Sequence, residues 1–407
     1  MPVSYPNNIS ITNRIVQMKV FCFCCLGMMF SFSQLAHAKP YIPTDMSQVL
    51  ATHNPSSLFS DVTFNFRRNS AQETVSISSH QILGSPLADE KSVADQARIY
   101  LDKADQPGYN YLYGRAQKSL LPFISNNTNN VKIWLLWATI EQHEHRFSEA
   151  IVALKRVTKK QPLNINANLM LARIYLIQNN IELAQEHCSY LFGESDFLTA
   201  LACNLEVSSH VDANALERSY QLLSVMVNRT GLPSDARGSW LSQMLAEMAY
   251  KQNNILDAER WLAAHFDGSP SRDFGVSFLS DWADLQLELK RPQLVLDFLG
   301  TVVTNAPSID DALLLRLALA ERQQNSLNAH IQRPRDHWGP LFKQRVALRE
   351  RRQDIHHASE LTRYYLDLEP SAIKAVLWAK INWDQSKEYK DKVLLDRAVA
   401  MKGDIDA

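Results

Sequence analysis

A motif that recurs after 34 residues constrains this chain more than any other feature. Trp134, Trp137, Ala138, Phe147, Ala150 and Leu154 are echoed by Asn168, Leu171, Ala172, Ile181, Ala184 and Cys188. Alanine at fixed offsets lets two helix axes approach to about 8–10 Å, and the bulkier residues fill the space beside it. A pair of antiparallel helices built this way cannot bury its apolar stripe alone, so it must stack on further copies of itself. The expected fold class is all-α, a solenoid of antiparallel helix pairs. A longer side chain at Ala172 or Ala184 would overpack the contact, at about 1–3 kcal/mol.

The period organises most of the chain. Residues 131–164 make one repeat that closes at Pro162, and residues 165–198 make a second. A longer, weaker unit covers 199–238. The pattern sharpens at 239–272, where Leu245-Ala246, Ile255, Ala258 and Leu262 take the same offsets. It recurs at 276–309 with Trp282-Ala283, Val295, Leu299 and a closing Pro307. Ahead of the array, Val93, Ala97, Ile99 and Leu101 form one apolar stripe. Leu112, Ala116 and Leu120 form a second, beyond a loop at Asp105–Gly108. They read as a degenerate capping pair, so the regular solenoid spans 88–309. Residues 310–407 continue as less regular helices: Leu313–Ala320, Trp338–Leu348, then helices carrying Leu361 with Tyr364-Tyr365, Ala375 with Trp378-Ala379, and Val393 with Leu395 and Ala398. Lys402 and Gly403 are the expected end of the last helix.

Two N-terminal segments stand apart. Lys19, the apolar run Val20–Phe32 and the small residues Ala36-His37-Ala38 have the layout of a secretory signal peptide cleaved after Ala38. Met18-Lys19 would make a more typical start than Met1. Residues 39–87 are rich in Ser, Asn and Pro and read as an extended arm. Within it, alternation at Val62, Phe64 and Phe66 and again at Val75 and Ile77 suggests a hairpin. Export implies a periplasmic location. Without Arg14 and Lys19 the mature chain has 40 basic against 43 acidic residues, a net charge of −3, which argues against a nucleic-acid partner.

Cys188 and Cys203 are the cysteines that remain after cleavage. They fall near the facing ends of two helices joined by a short turn, at about the same height, and an oxidising compartment permits a bridge. The expectation is a Cys188–Cys203 disulfide, with two buried thiols as the alternative.

No catalytic constellation stands out, and no metal or cofactor is expected. Ser371-Ala372-Ile373-Lys374 spells a nucleophile motif of penicillin-recognising enzymes, but its companion motifs are missing, and a helix start explains it. The histidines of His143-Glu144-His145 are two apart and face different sides of a helix, so they lack zinc-protease spacing. They and His356-His357 read as solvated loops. The basic cluster Arg345, Arg349, Arg351 and Arg352 reads as a solvated helix end. Its alternative role is contact with an acidic partner or anionic lipid.

The repeats, together with Tyr41-Ile42-Pro43-Thr44-Asp45, Tyr111-Leu112-Tyr113-Gly114-Arg115-Ala116, Leu361-Thr362-Arg363-Tyr364-Tyr365-Leu366-Asp367 and Asn382-Trp383, resemble the exported bacterial tetratricopeptide-repeat (TPR) proteins. The resemblance implies a right-handed TPR-like solenoid in which the first helix of each pair lines a concave groove. The groove positions then fall on Lys132, Leu135, Thr139 and Gln142, on Asn166, Leu169, Arg173 and Leu176, on Trp240, Gln243, Glu247 and Tyr250, and on Ser277, Ser280, Asp284 and Leu287. Trp240 and Tyr250 beside Glu247 are the most site-like group, because aromatics are over-represented at interface hot spots; Trp240 packing against the preceding repeat is the alternative. The implied function is a non-enzymatic periplasmic scaffold that holds a protein or peptide partner. The alternative is an envelope adaptor that docks on membrane or polysaccharide machinery through its convex face or its basic C-terminal helices.

Overall fold

A computed structural model describes residues 89–266, 274–327 and 336–406. The leader, the arm and its expected hairpin lie outside the described residues. The described residues form helix pairs in strict succession: α1 (Glu90–Ala104) with α2 (Tyr111–Ser125), α3 (Val131–His143) with α4 (Phe147–Lys160), and α5 (Ile165–Ile177) with α6 (Ile181–Ser189). Next come α7 (Phe197–Ser208) with α8 (Ala213–Thr230), α9 (Ala236–Lys251) with α10 (Ile255–His265), and α11 (Val276–Glu288) with α12 (Pro292–Asn305). The chain continues through α13 (Asp311–Leu327) with α14 (Trp338–Arg352), then α15 (Ala358–Arg363), a π-helical turn at Tyr364–Leu368, α16 (Ala372–Gln385) and α17 (Tyr389–Asp406). First helices neighbour first helices, with α3 against α5, α5 against α7, α7 against α9 and α9 against α11, so the fold is an all-α, TPR-like solenoid.

Local chemistry sets each unit. Asn130, Asn164, Asn180, Asp196, Asp212 and Asn254 accept backbone N–H bonds at helix N-termini, satisfying donors the helices leave open. The turn inside several pairs passes through the left-handed region at His145, Asn179 and Asn253, where Asn is favoured among non-glycine residues. The repeat's alanines, Ala138, Ala150, Ala172, Ala184, Ala246, Ala258 and Ala283, are all buried. The Trp-to-Asn change within the echo also has a reason. Trp134 Nε1 donates to the Thr128 carbonyl at 2.8 Å, and Asn168 Nδ2 donates to the Pro162 carbonyl at 2.9 Å. Both tie the helix to the carbonyl six residues back.

Several expectations need correction. Ile99 is 55 % exposed while Val93, Ala97 and Leu101 are buried; it lies two residues from Ala97 and so about 200° round the helix. On α17, Leu394 and Ala398 face the core one turn apart, while Val393 is 38 % exposed. That helix runs past Gly403 to Asp406, so Lys402-Gly403 does not end it.

Cys188 and Cys203 are joined by a disulfide, with Cα atoms 5.5 Å apart. Both are buried, and the bridge ties α6 to α7 at the start of the irregular repeat. It closes a 15-residue separation, for which chain entropy suggests a stabilisation of about 3 kcal/mol. The double variant Cys188→Ala/Cys203→Ala is expected to lower the unfolding free energy by that order in denaturant titration. Thiol titration of the unreduced wild-type chain in denaturant is expected to find neither sulfur free.

The solenoid winds back on itself. At one end of a seam, Val276 N–H donates to the Asp105 carbonyl at 2.9 Å. Gly108 N–H donates to Asp310 Oδ2 at 2.6 Å, and Ser308 Oγ donates to the Gly108 carbonyl at 2.7 Å. One pair further on, the α3–α4 turn meets the loop before α15, with His145 and His357 rings 4.4 Å apart. One more pair on, Lys387 N–H donates to the Ile177 carbonyl at 2.8 Å. The two edges of the superhelical turn thus advance in step. Gly108 permits the first contact: its φ is +83°, and a Cβ there would stand 2.7 Å from the Ser308 carbonyl oxygen. Gly108→Ala is therefore expected to cost about 1–3 kcal/mol of unfolding free energy, measured by denaturant titration. Gly114→Ala, in α2 with open space around it, is expected to be neutral or stabilising.

Candidate functional site

The first helices and the α16–α17 turn share one charged inner face. Arg173 on α5 pairs with Glu206 on α7 at 2.8 Å and with Glu388, just before α17, at 2.5 Å. Glu247 pairs with Lys251 one helical turn away at 2.8 Å, and Lys251 Nζ lies 3.2 Å from His210 Nε2. Gln243 donates to Asp281 Oδ2 at 2.8 Å. Asp284 is held by Arg316 at 2.8 Å and by Arg363 at 2.7 Å.

These pairings decide the protonation states. Burial pushes the Asp284 carboxyl up, but Arg316 and Arg363 outweigh it and hold the group down at about 2. Burial likewise opposes ionisation of Glu247, and Lys251 and Arg173 overcome it, keeping the carboxylate well below the usual range. Lys390 is raised above the ordinary lysine value by Asp281, Glu388 and Glu247 around it. Burial raises Glu206 and Asp281. The inner face thus carries acidic and basic groups, each met by an opposite one or a hydrogen-bond donor.

Of the expected groove residues, the structure brings Arg173, Gln243, Glu247 and Asp284 into this network. Lys132 and Asn166 are exposed at the starts of α3 and α5, and Gln142 is half-buried near the end of α3. Trp240 is half-buried against the core cluster that includes Leu241 and Leu245, whereas Tyr250 is exposed. Glu206, Asp281, Arg316, Arg363, Glu388 and Lys390 were not anticipated. The signal for the first three was the period itself: Arg173 and Glu206 lie 33 residues apart, Gln243 and Asp281 38, and Asp284 and Arg316 32, close to one repeat. Nothing local announces that Glu388 returns to Arg173.

A second polar cluster sits on the seam and overturns the solvated-loop reading of the histidines. His143 stacks on Tyr113 with ring centroids 3.5 Å apart, and its Nε2 is 2.9 Å from Asn110 Oδ1. His357 lies edge-on to His143 and His145, while Nδ1 of His145 and of His356 is buried without a partner. An open cavity of about 490 Å³ borders this cluster, lined by Asn110, His143, Glu144, Arg349, Arg352 and His357 among others. Among the described residues no group of three His, Cys, Asp or Glu side chains is disposed to hold a metal ion. Arg345, Arg351 and Arg352 of the basic cluster are exposed, as expected of a solvated helix end, and Arg349 alone is drawn in. The Arg349 side chain is only 15 % exposed and pairs with Asp311 at 3.1 Å and Glu360 at 2.9 Å, while Arg345 lies 3.7 Å from Asp311. No described helix is long and apolar enough to cross a membrane.

Burial holds His143 and His145 down at about 4, with the positive charges of neighbouring groups adding to it, and lowers His357 well below its ordinary 6.5. A folded-state value below the unfolded one means that the unfolded chain takes up protons first. Stability is therefore fully present above the ordinary histidine range and falls as the pH drops from about 6.5 towards 4. Denaturant titration across that range is expected to show the decline, and His145→Gln/His357→Gln is expected to flatten it. A parallel decline in the variant would remove these two rings as its source.

Neither a protein-family model nor a curated protein matches the chain. Among solved structures, a thermophilic TPR protein of Thermus thermophilus is similar over 47 % of this chain and 98 % of its own, at 19 % identity and a TM-score of 0.38. A tetratricopeptide-repeat protein from Parabacteroides merdae is similar over 76 % of this chain and 98 % of its own, at 14 % identity and a TM-score of 0.34. A human IFIT1 dimer with PPP-AAAA covers 77 % of this chain and 73 % of its own, at 9 % identity and a TM-score of 0.41. The fold follows from the helix pairing described above rather than from these likenesses.

Proposed function

We propose that this chain is a non-enzymatic periplasmic scaffold that holds a protein or peptide partner along the inner face of its solenoid. One observation carries this reading: the inner face already grips a polypeptide turn, with Glu388 on Arg173 across 215 residues of sequence. Burial opposes the charge on Arg173, but Glu388 and Glu206 outweigh it and raise the group above its ordinary value, so it presents a permanent cation. Tyr250, exposed on the same helix as Glu247, adds an aromatic surface of the kind that anchors partners. The leader-like N-terminus supports export, and the Cys188–Cys203 bridge suits an oxidising compartment. For the envelope-adaptor reading, Arg349 is committed to Asp311 and Glu360, which leaves Arg345, Arg351 and Arg352 as its exposed cations.

A photoreactive phenylalanine placed at Tyr250 in the native envelope tests the proposal. A discrete crosslinked protein is expected, identified by mass spectrometry and lost when Arg173→Glu is added. Crosslinking that survives Arg173→Glu, or none at all, would refute the inner face as the binding surface. Fractionation of the same cells is expected to place the chain in the periplasm.

A further inference from the structure

The turn between α16 and α17 is an odd occupant for the inner face of a scaffold. It reaches the α5 carbonyl end through Lys387 N–H and reaches Arg173 through Glu388. The negative charges of Asp281, Glu388 and Glu247 raise Lys390, two residues on, above its ordinary value. We infer that the Lys387–Lys390 turn is an intramolecular stand-in for the partner, and that the partner's binding segment carries an acidic residue followed two positions later by a basic one. The inference rests on the inner face being the binding surface.

Three observations support it. The first concerns what would remain if the turn withdrew. Arg173 would keep Glu206 at 2.8 Å, Glu247 would keep Lys251 at 2.8 Å, and Asp281 would keep Gln243 at 2.8 Å. Removing one member of a buried ion pair normally strands its partner's charge, and that penalty locks such pairs shut. Here Arg173 and Glu247 each keep an ion-pair partner and Asp281 keeps a hydrogen-bond donor, so the turn can leave without leaving any of them unpartnered. The second is that the turn is shaped independently of the inner face. Buried Asp391 accepts from Asn382 Nδ2 at 2.7 Å and from Ser386 Oγ, and its N–H donates to the Glu388 carbonyl at 3.1 Å. A preorganised segment of this kind binds with little further loss of freedom. The third is that Tyr389, between the two charged residues, is 42 % exposed. The recognition chemistry therefore lies in the flanking acid and base.

A tethered segment competes at an effective concentration of order millimolar, so the wild-type chain is expected to exclude the same segment offered in trans. The test uses the synthetic peptide 384–392, saturation-transfer NMR, and the full chain as wild type and as Glu388→Ala/Lys390→Ala. The variant is expected to give about tenfold or more transfer to the peptide than wild type, reversed by adding Arg173→Ala. Equal signals, or none from a variant that keeps its helical circular dichroism, would overturn the inference. Should the variant fail to fold, hydrogen exchange on the wild-type chain decides. Lys387 N–H is expected to exchange faster than the central amides of α16 and α17, and exchange only through global unfolding would overturn the inference. A crosslink at position 250 that depends on Arg173 can stand while both of these fail, so losing the stand-in does not remove the scaffold reading.

Discussion

The structure depends on how closely two helices can lie. Three of the pairs close over two alanines, at Ala138 and Ala150, Ala172 and Ala184, Ala246 and Ala258, and all of these are buried. Close approach within a pair fixes the tilt of the next, because Trp134 or Asn168 ties the start of its helix to the preceding loop. Repetition of that tilt curves the array until its two edges meet. Without the short pair spacing, neither the ladder of charges on the inner face nor the contact from Lys387 to Ile177 would form.

The charges follow from that geometry. Side chains about one repeat apart on successive first helices face each other, so Arg173 meets Glu206 and Asp284 meets Arg316. Since each buried charge costs several kcal/mol unless it is paired, curvature and charge pattern belong together. The inner face is polar and still ordered, which suits the capture of a polar segment better than the burial of an apolar helix. Trp240 is half-buried and packs against the core cluster that includes Leu241 and Leu245.

Period and composition made the local structure legible. The helix pairs and the Cys188–Cys203 bridge can be read from offsets, because they depend on neighbours one helix away, whereas the expected Leu313–Ala320 helix runs on to Leu327. The seam could not be read that way. His143-Glu144-His145 and His356-His357 look like solvated turns when each is taken alone. They are half-buried because the array's curvature brings two turns about 210 residues apart into contact, an effect no local window contains. Arg349 differs: its partners Asp311 and Glu360 lie on the neighbouring helices α13 and α15, within one repeat's reach. Smaller errors, such as Ile99 in the stripe of Ala97 and Leu101, came from phase: a residue two positions off falls on the far side of the helix.

The stepwise seam has a consequence for how the chain folds. A plain repeat array is nearly one-dimensional: each unit touches its neighbours, folding starts anywhere and spreads, and parts can melt separately. Contacts from Gly108 to Asp310 and from His145 to His357 span 202 and about 210 residues. They add native contacts that form only when both edges are in place, and closing such loops slows folding while binding the ends to one another. A linear stack becomes a closed circuit, in which loss of order at one end is felt at the other and the described array is driven towards melting as one body.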